Sequence, residues 1–335
     1  MKGLIFPANE GQERILPYYL AAEEWLASMR GAESDWFFAW QVPPTVICGR
    51  HQDMALEVDM DYARAHNINV WRRKSGGGCV YADRHNIMFS YITARESVQG
   101  SFGRYTALIC RMLAGLGIEA EPTGRNDVAI GGRKVAGNAC YMVAGRSIVH
   151  GTMLYDADFA TMSRVLTPSR AKLASKGVQS VPARVTTLRA AGIGIGCDEF
   201  VSHAVHTLCD EGFHSVTTAE DAIIQEICST YLTPEFLRRD GSGAPDSTVI
   251  RSRRFDGTGE VTAHITPAAD GRVIGAISLT GDFFGSPERT EELCRRLNGA
   301  PLTADGIRRA VEGFDTGGAI TGLTSDNLCE LLTVI

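Results

Sequence analysis

The sequence predicts an α+β protein, in which a large N-terminal unit of mixed sheet and helices is followed by a small α+β unit. Three observations carry this. Short runs rich in β-branched and aromatic residues interleave with stretches whose apolar residues recur at helical spacing. At 335 residues the chain is longer than one core usually supports, about 250–300 residues. A polar stretch containing Gly, Ser and Pro, LRRDGSGAPDS, precedes a fresh set of strand-like runs and reads as a linker, which sets the expected units at 1–245 and 246–335.

Taken in order, Ile15, Tyr19, Ala22, Leu26 and Met29 share a helical face that stops near Gly31. WFFAWQV and PTVICG read as two strands joined by a turn, because Pro43-Pro44 cannot lie inside a central strand. Residues 53–67 suit a short helix, INVWRR a strand, and NIMFSYI another with alternating apolar positions. Phe102, Tyr105, Ile109, Met112, Leu113 and Leu116 predict a second long helix with Gly117 as its stop. DVAIGGRKVAG predicts a hairpin, since Gly131-Gly132 can supply the positive φ angles of a tight turn, and SIVHGTMLY a further strand. Helical patterns return at 199–212 and 219–230. Beyond the linker, EVTAHITPAADGRVIGAISLTGDFF reads as strands around an Asp-Gly turn and 286–312 as helices.

With 44% hydrophobic and 21% charged residues the chain fits a folded globular class rather than a disordered or fibrous one. Its net charge of -6 argues against nucleic acid as a partner, which calls for a basic surface. MKGLIFPANEGQERILPYYL has no long apolar core after Lys2, and no run of 18 apolar residues occurs, so neither a signal peptide nor a membrane partner is expected and the expected location is the cytoplasm. The nine cysteines are scattered without a CxxC, and are expected to be reduced and mostly buried.

Two stretches carry chemistry. In WRRKSGGGCVYAD, Gly76, Gly77 and Gly78 lack the Cβ atoms that would hold a ligand off, so backbone N–H groups can approach a phosphate closely; a tight solvent turn is the plainer alternative. In TGRNDVAIGGRKVAGNA, Asn126 and Asp127 sit at a strand entrance, suited to an Asx turn or to a metal-bound triphosphate. Lys134 lies on the return arm, with the small residues Gly137, Asn138 and Ala139 leaving room beside it. His150, next to Gly151, reads as a satisfied core histidine or as part of a pocket floor, with the structural role preferred because no acid partner is evident in sequence.

These segments resemble the lipoate–protein ligases, whose catalytic fold is shared with biotin ligases and class II aminoacyl-tRNA synthetases. PTVICGRHQD, RRKSGGGCVYAD, GRNDVAIGGRKVAGNA, IVHGTMLYDAD and LTPSRAKLASKGVQSVPARVTTL stand in the family's order, and the C-terminal segment is similar to its accessory domain. The resemblance implies ATP-dependent activation of lipoate to lipoyl-AMP, then transfer to a lysine of an acceptor, either the lipoyl domain of a 2-oxoacid dehydrogenase complex or the glycine-cleavage H protein. Carried over by motif, Arg73 would contact the nucleotide phosphate, Ser75 the acyl phosphate region, and Gly78, Cys79, Val80 and Tyr81 would line the nucleotide site. Lys134 would bridge the lipoate carboxylate and the α-phosphate, and Asp127, with Asn126, would contact Mg²⁺. Lys172 and Lys176 would belong to a loop that closes over the adenylate. For the acyl tail, strand alternation suggests Val46, Ile47, Tyr81 and Met153.

The chain departs from the family at Ala82, where a histidine is common, and His85 is a nearby candidate to replace it. It also lacks the Trp-rich segment that commonly precedes the accessory domain. Two alternatives stand beside the ligase: an octanoyl or lipoyl transferase of the same fold, working through a cysteine thioester with Cys140 as candidate, and a catalytically silent carrier-binding homologue.

Overall fold

Phe37 and Phe38, adjacent in sequence, lie in different hydrophobic cores, and that alternation organises the larger part of the molecule. The computed structural model describes residues 1–7, 13–29, 34–124, 126–167, 184–237, 247–269 and 271–333. In chain order its strands are β1 (Lys2–Ile5), β2 (Trp36–Trp40), β3 (Thr45–Cys48), β4 (Asn69–Arg72), β5 (Val80–Ala82), β6 (Asn86–Ala94), β7 (Glu121–Thr123), β8 (Asp127–Ile130), β9 (Arg133–Val143), β10 (Arg146–Leu154), β11 (Phe213–Ser215), β12 (Val249–Phe255), β13 (Gly259–Pro267) and β14 (Ile274–Gly281). Eight form one sheet in the order β11-β1-β2-β6-β10-β9-β8-β7. The pairs β1·β2 and β1·β11 are parallel, whereas β2·β6, β6·β10 and β10·β9 are antiparallel, so the sheet is mixed as expected.

Both faces of this sheet are covered. Phe37, Phe89, Tyr91 and Val149 point to one side, where they pack against α4 (Val98–Ala114) and the helix Cys197–Leu208. Phe38, Met88, Ile92 and Ile148 point to the other, under α1 (Leu16–Ser28) and the helix Thr218–Tyr231. Eleven of the 13 residues of α1 are buried, among them two acids, Glu23 and Glu24. A second sheet, β4-β3-β5, sits beside the first, and its outer face packs on α2 (Met54–Glu57), α3 (Met60–Ala65) and α5 (Phe159–Val165). The C-terminal sheet β12-β13-β14 and the helices Pro287–Leu297, Ala304–Ala310 and Ser325–Thr333 bury a core of their own.

Most expected elements stand within a few residues of their sequence positions. The Gly131-Gly132 turn closes β8 and β9 with φ of 56° and 73°, as the hairpin requires. The single helix expected at 53–67 is two, because Asp53 and Asp59 each cap a separate start and Val58 leaves the helix to bridge Leu166. WFFAWQV and PTVICG are strands but belong to different sheets. Among the described residues no helix is long and apolar enough to cross a membrane.

Candidate active site

Arg73 fixes the shape of the glycine-rich loop. Its guanidinium donates from Nε to Ser75 Oγ (2.9 Å), from Nη1 to the Ile47 carbonyl (2.9 Å), and from Nη2 to the carbonyls of Gly76 (2.7 Å) and Gly78 (2.9 Å). Four of its five N–H groups are thereby spent on the protein, and burial lowers its pKa to about 10. Arg73, expected at the nucleotide phosphate, lines the cavity and also scaffolds the loop. Gly77 needs its glycine, with φ of 88°. At Gly76 a methyl group would overlap the Phe283 carbonyl.

The two buried acids of α1 hold the same loop from behind. Glu24 pairs with Lys74 (2.7 Å) and accepts from the Tyr231 hydroxyl. Glu23 faces His150 Nδ1 at 2.9 Å, and His150 Nε2 lies 2.7 Å from Ser75 Oγ. Ser90 and Tyr141 also donate to Glu23, and Trp40 Nε1 donates to Ser90 at 2.8 Å. The order serine, histidine, acid is that of a nucleophilic triad. Ser75 is fully buried, however, and already accepts from Arg73, so its hydroxyl serves to hold the loop and does not face the cavity. Glu23 is the acid partner that sequence reading did not find for His150.

On the opposite wall, Lys134 Nζ donates to Asp127 Oδ1 at 2.7 Å, and Arg184 Nη2 meets Asp127 Oδ2 at 2.8 Å. The backbone of residues 184–186 runs along Lys134, with Lys134 N donating to the Arg184 carbonyl and Thr186 N to the Lys134 carbonyl. Gly137 leaves the room that the Lys134 ammonium occupies, since a Cβ there would overlap Nζ and Cε. The far end of a lysine can swing aside, so Gly137→Ala should fold normally yet displace the ammonium. Its expected result is an activity loss of at least about 10-fold, read by initial rates beside an unchanged melting curve. Asn126 and Asn138 bracket one another, Asn138 Nδ2 donating to the Asn126 carbonyl at 2.8 Å and Asn126 Nδ2 to the Asn138 carbonyl. The buried Asn138 Oδ1 has no hydrogen-bond partner among the described residues, and it fills the space a Gly151 side chain would take.

These walls enclose a cavity of about 440 Å³, ample for a small-molecule site. Its lining combines the apolar residues Leu16, Leu20, Trp40, Ile47, Val80, Met88 and Ala139 with Arg73, Asn126, Asp127, Lys134, Arg184 and the stretch Gly77–Cys79. Of the four residues expected to line an acyl slot only Ile47 does so. In three-residue β5, Val80 faces the cavity, which turns Tyr81 to the opposite side beside Val46, and Met153 belongs to the core under α4. Ala82 is fully buried opposite Thr45, whereas His85 is exposed and lines a separate depression, so it does not replace the family histidine. Lys172 and Lys176 lie outside the described residues. The C-terminal portion contributes a wall that was not anticipated: Arg254 through Gly259, Asp282 and Phe284. Gly77 N donates to the Phe283 carbonyl at 3.2 Å, Gly281 N to the His51 carbonyl at 2.8 Å, and the His51 and Phe283 rings stack at 4.6 Å.

Residues 17–209 match the family model for the lipoyl protein ligase A/B catalytic domain, and residues 244–332 that for the bacterial lipoate protein ligase C-terminus. The chain belongs to the lipoate–protein ligase family. The lipoate-protein ligase LplJ of Bacillus subtilis is 35% identical over 326 residues, covering 93% of this ligase and 95% of the relative. The probable lipoate-protein ligase A of Mycoplasma pneumoniae is 30% identical over 276 residues, 80% of each chain. The crystal structure of P. falciparum LipL1 in complex with lipoate superposes with a TM-score of 0.77 over 99% of both chains at 16% identity, a likeness of fold.

Within the ligase, Cys140 is an unsuitable nucleophile. It is buried on β9, and burial pushes its thiol up to about 12, so almost no thiolate exists at neutral pH. Cys140→Ser should leave ligase turnover nearly unchanged, whereas a thioester mechanism through this residue would lose its acyl-enzyme, a difference read directly by single-turnover assay. The two missed acids of α1 share one signal. Glu23 and Glu24 stand in a helix apolar on every side, and buried carboxylates require partners.

Proposed function

We propose that this ligase works in two half-reactions at the described cavity. A lipoate carboxylate oxygen attacks the α-phosphorus of ATP, the bond to the bridging oxygen breaks and pyrophosphate leaves. An acceptor lysine amine then attacks the acyl carbon of lipoyl-AMP and AMP departs. The observation that carries this reading is the Lys134 ammonium, held by Asp127 in the cavity that the glycine-rich loop also lines. A compact cation there can touch two oxygens from different groups, neutralising charge as the mixed anhydride forms and later polarising the acyl carbonyl. The apolar lining residues, Leu16, Leu20, Trp40 and Met88 among them, suit the acyl chain.

Asp127 and the adjacent Asn126 suit a magnesium ion shared with phosphate oxygens, since Mg²⁺ takes one or two carboxylates and completes its shell with substrate and water. Asn138, whose Nδ2 donates to the Asn126 carbonyl, carries a further unpartnered oxygen in the same cavity lining. Such an ion would neutralise phosphate charge, and Asp127 would exchange one of its two cationic partners to meet it. Lys172 and Lys176 would close over the adenylate, and division of the chain at 245/246 would leave the accessory unit as one wall of the site. Lipoyl domains of 2-oxoacid dehydrogenase complexes or the glycine-cleavage H protein are the proposed acceptors, and the cytoplasm, with its ATP and reduced thiols, the proposed setting.

The test is purified protein with ATP, Mg²⁺ and lipoate. Release of pyrophosphate with a retained lipoyl adenylate is the expected result. Transfer from an octanoylated carrier without ATP would select the transferase, and carrier binding without either activity the silent homologue.

A further inference from the structure

Cys48 and Cys79 take no part in the steps above; Cys79 belongs to the cavity lining, and Cys48 is buried behind it in the core that holds Val46, Tyr81 and Leu154. The β3·β5 ladder pairs Thr45 with Ala82, Val46 with Tyr81 and Ile47 with Val80. Continued by one rung, the same register sets Cys48 opposite Cys79. Their sulfurs are 3.0 Å apart, inside the usual contact distance of about 3.5–4.0 Å between carbon-sized atoms, although no bond joins them. Directly opposed antiparallel residues have Cα separations of about 4.5–5.5 Å, within the range a disulfide accepts. Cys48 is buried, while Cys79 is partly exposed and belongs to the cavity wall.

We infer that Cys48 and Cys79 form an oxidative modification site, where a hydroperoxide converts the two thiols into a disulfide and thereby arrests the ligase. The Cys79 sulfur attacks one peroxide oxygen; the O–O bond breaks and the leaving oxygen departs with the thiol proton as water or an alcohol. The Cys48 sulfur then attacks the Cys79 sulfenic acid, the S–O bond breaks, and a water leaves with the Cys48 proton. Two thiols lose two electrons in all, and one peroxide gains them.

The displacement is small but badly placed. Closing the sulfurs from 3.0 Å to about 2.05 Å is a side-chain approach of about 1 Å that ties Cys79 to β3, and the part of it taken up by the loop bears on a centre where a misplacement of about 1 Å costs on the order of 100-fold in rate. Cys79 follows Gly78, whose carbonyl Arg73 holds, so the shift passes directly into the loop.

The rate effect rests on the function proposed above; the cross-link does not. The full-length protein is treated with hydrogen peroxide, alkylated and digested, and adenylate formation is timed before and after dithiothreitol. A linked Cys48–Cys79 peptide, a rate loss on the order of 100-fold and recovery on reduction are expected, with prior addition of MgATP slowing the cross-link. Cys48→Ala should keep its untreated rate and form no link, leaving a Cys79 sulfenic acid that a cyclic 1,3-dione captures; should that variant fail to fold, the linked peptide of the unaltered protein still decides. Absence of the link while another cysteine in the same sample is oxidised overturns the site, and a quantitative link with unchanged rate overturns the arrest. Absence of adenylate before any oxidation counts against the proposed function alone.

Discussion

Lys134→Ala is expected to fold normally and to lose adenylate formation by about 10²- to 10³-fold, the scale of removing a main electrostatic stabiliser. The side chain is a quarter exposed, and its loss leaves Asp127 still paired with Arg184, so little stability goes with it. Lys134→Arg should rescue poorly. Its charge is retained, but a planar fork needs more width than Gly137 leaves beside the ammonium. The two half-reactions can be read apart, by pyrophosphate release from ATP and by aminolysis of preformed lipoyl-AMP, and both should fall. Unaltered rates in either would remove this residue from the centre of that step.

Glu23→Ala should act mainly on stability. The carboxylate is fully buried and accepts from Ser90, Tyr141 and His150, and a stranded buried donor costs about 1–3 kcal/mol. A total on the order of 4 kcal/mol is expected, against a typical margin of 5–15 kcal/mol, with a melting temperature lower by roughly 10 °C. Glu23→Gln, which keeps an acceptor oxygen of the same reach, should lose much less. Thermal unfolding followed by circular dichroism measures both, and equal melting temperatures for the three proteins would show that the network contributes nothing.

The parts of the site legible in sequence were those written locally. The glycine-rich loop, the Gly131-Gly132 hairpin and a lysine beside small residues depend on neighbours within a few positions. His150 was legible as a residue but not as a member of a network, because its partner Glu23 lies 127 residues away on another element. Alternation failed at β5 for a related reason: a strand of three residues is too short to fix which parity faces inward, and Tyr81 was assigned to the side that Val80 takes. The scaffolding part of Arg73 was not legible, since only coordinates show that most of its donors are spent on Ser75 and on carbonyls. The 250s wall was invisible because it comes from a separate core that meets the cavity through backbone rather than through a motif.

The meeting of Gly76 and Gly77 with Phe283 is main chain against main chain. At this contact, unlike the neighbouring His51–Phe283 ring stack, no side chain can be trimmed or enlarged to absorb a change on the other side, and complementarity is a matter of peptide shape. Exchange of C-terminal halves between related ligases would therefore succeed or fail on how the 283 carbonyl is presented, and halves that drift apart in that one contour would become incompatible even with every catalytic residue intact.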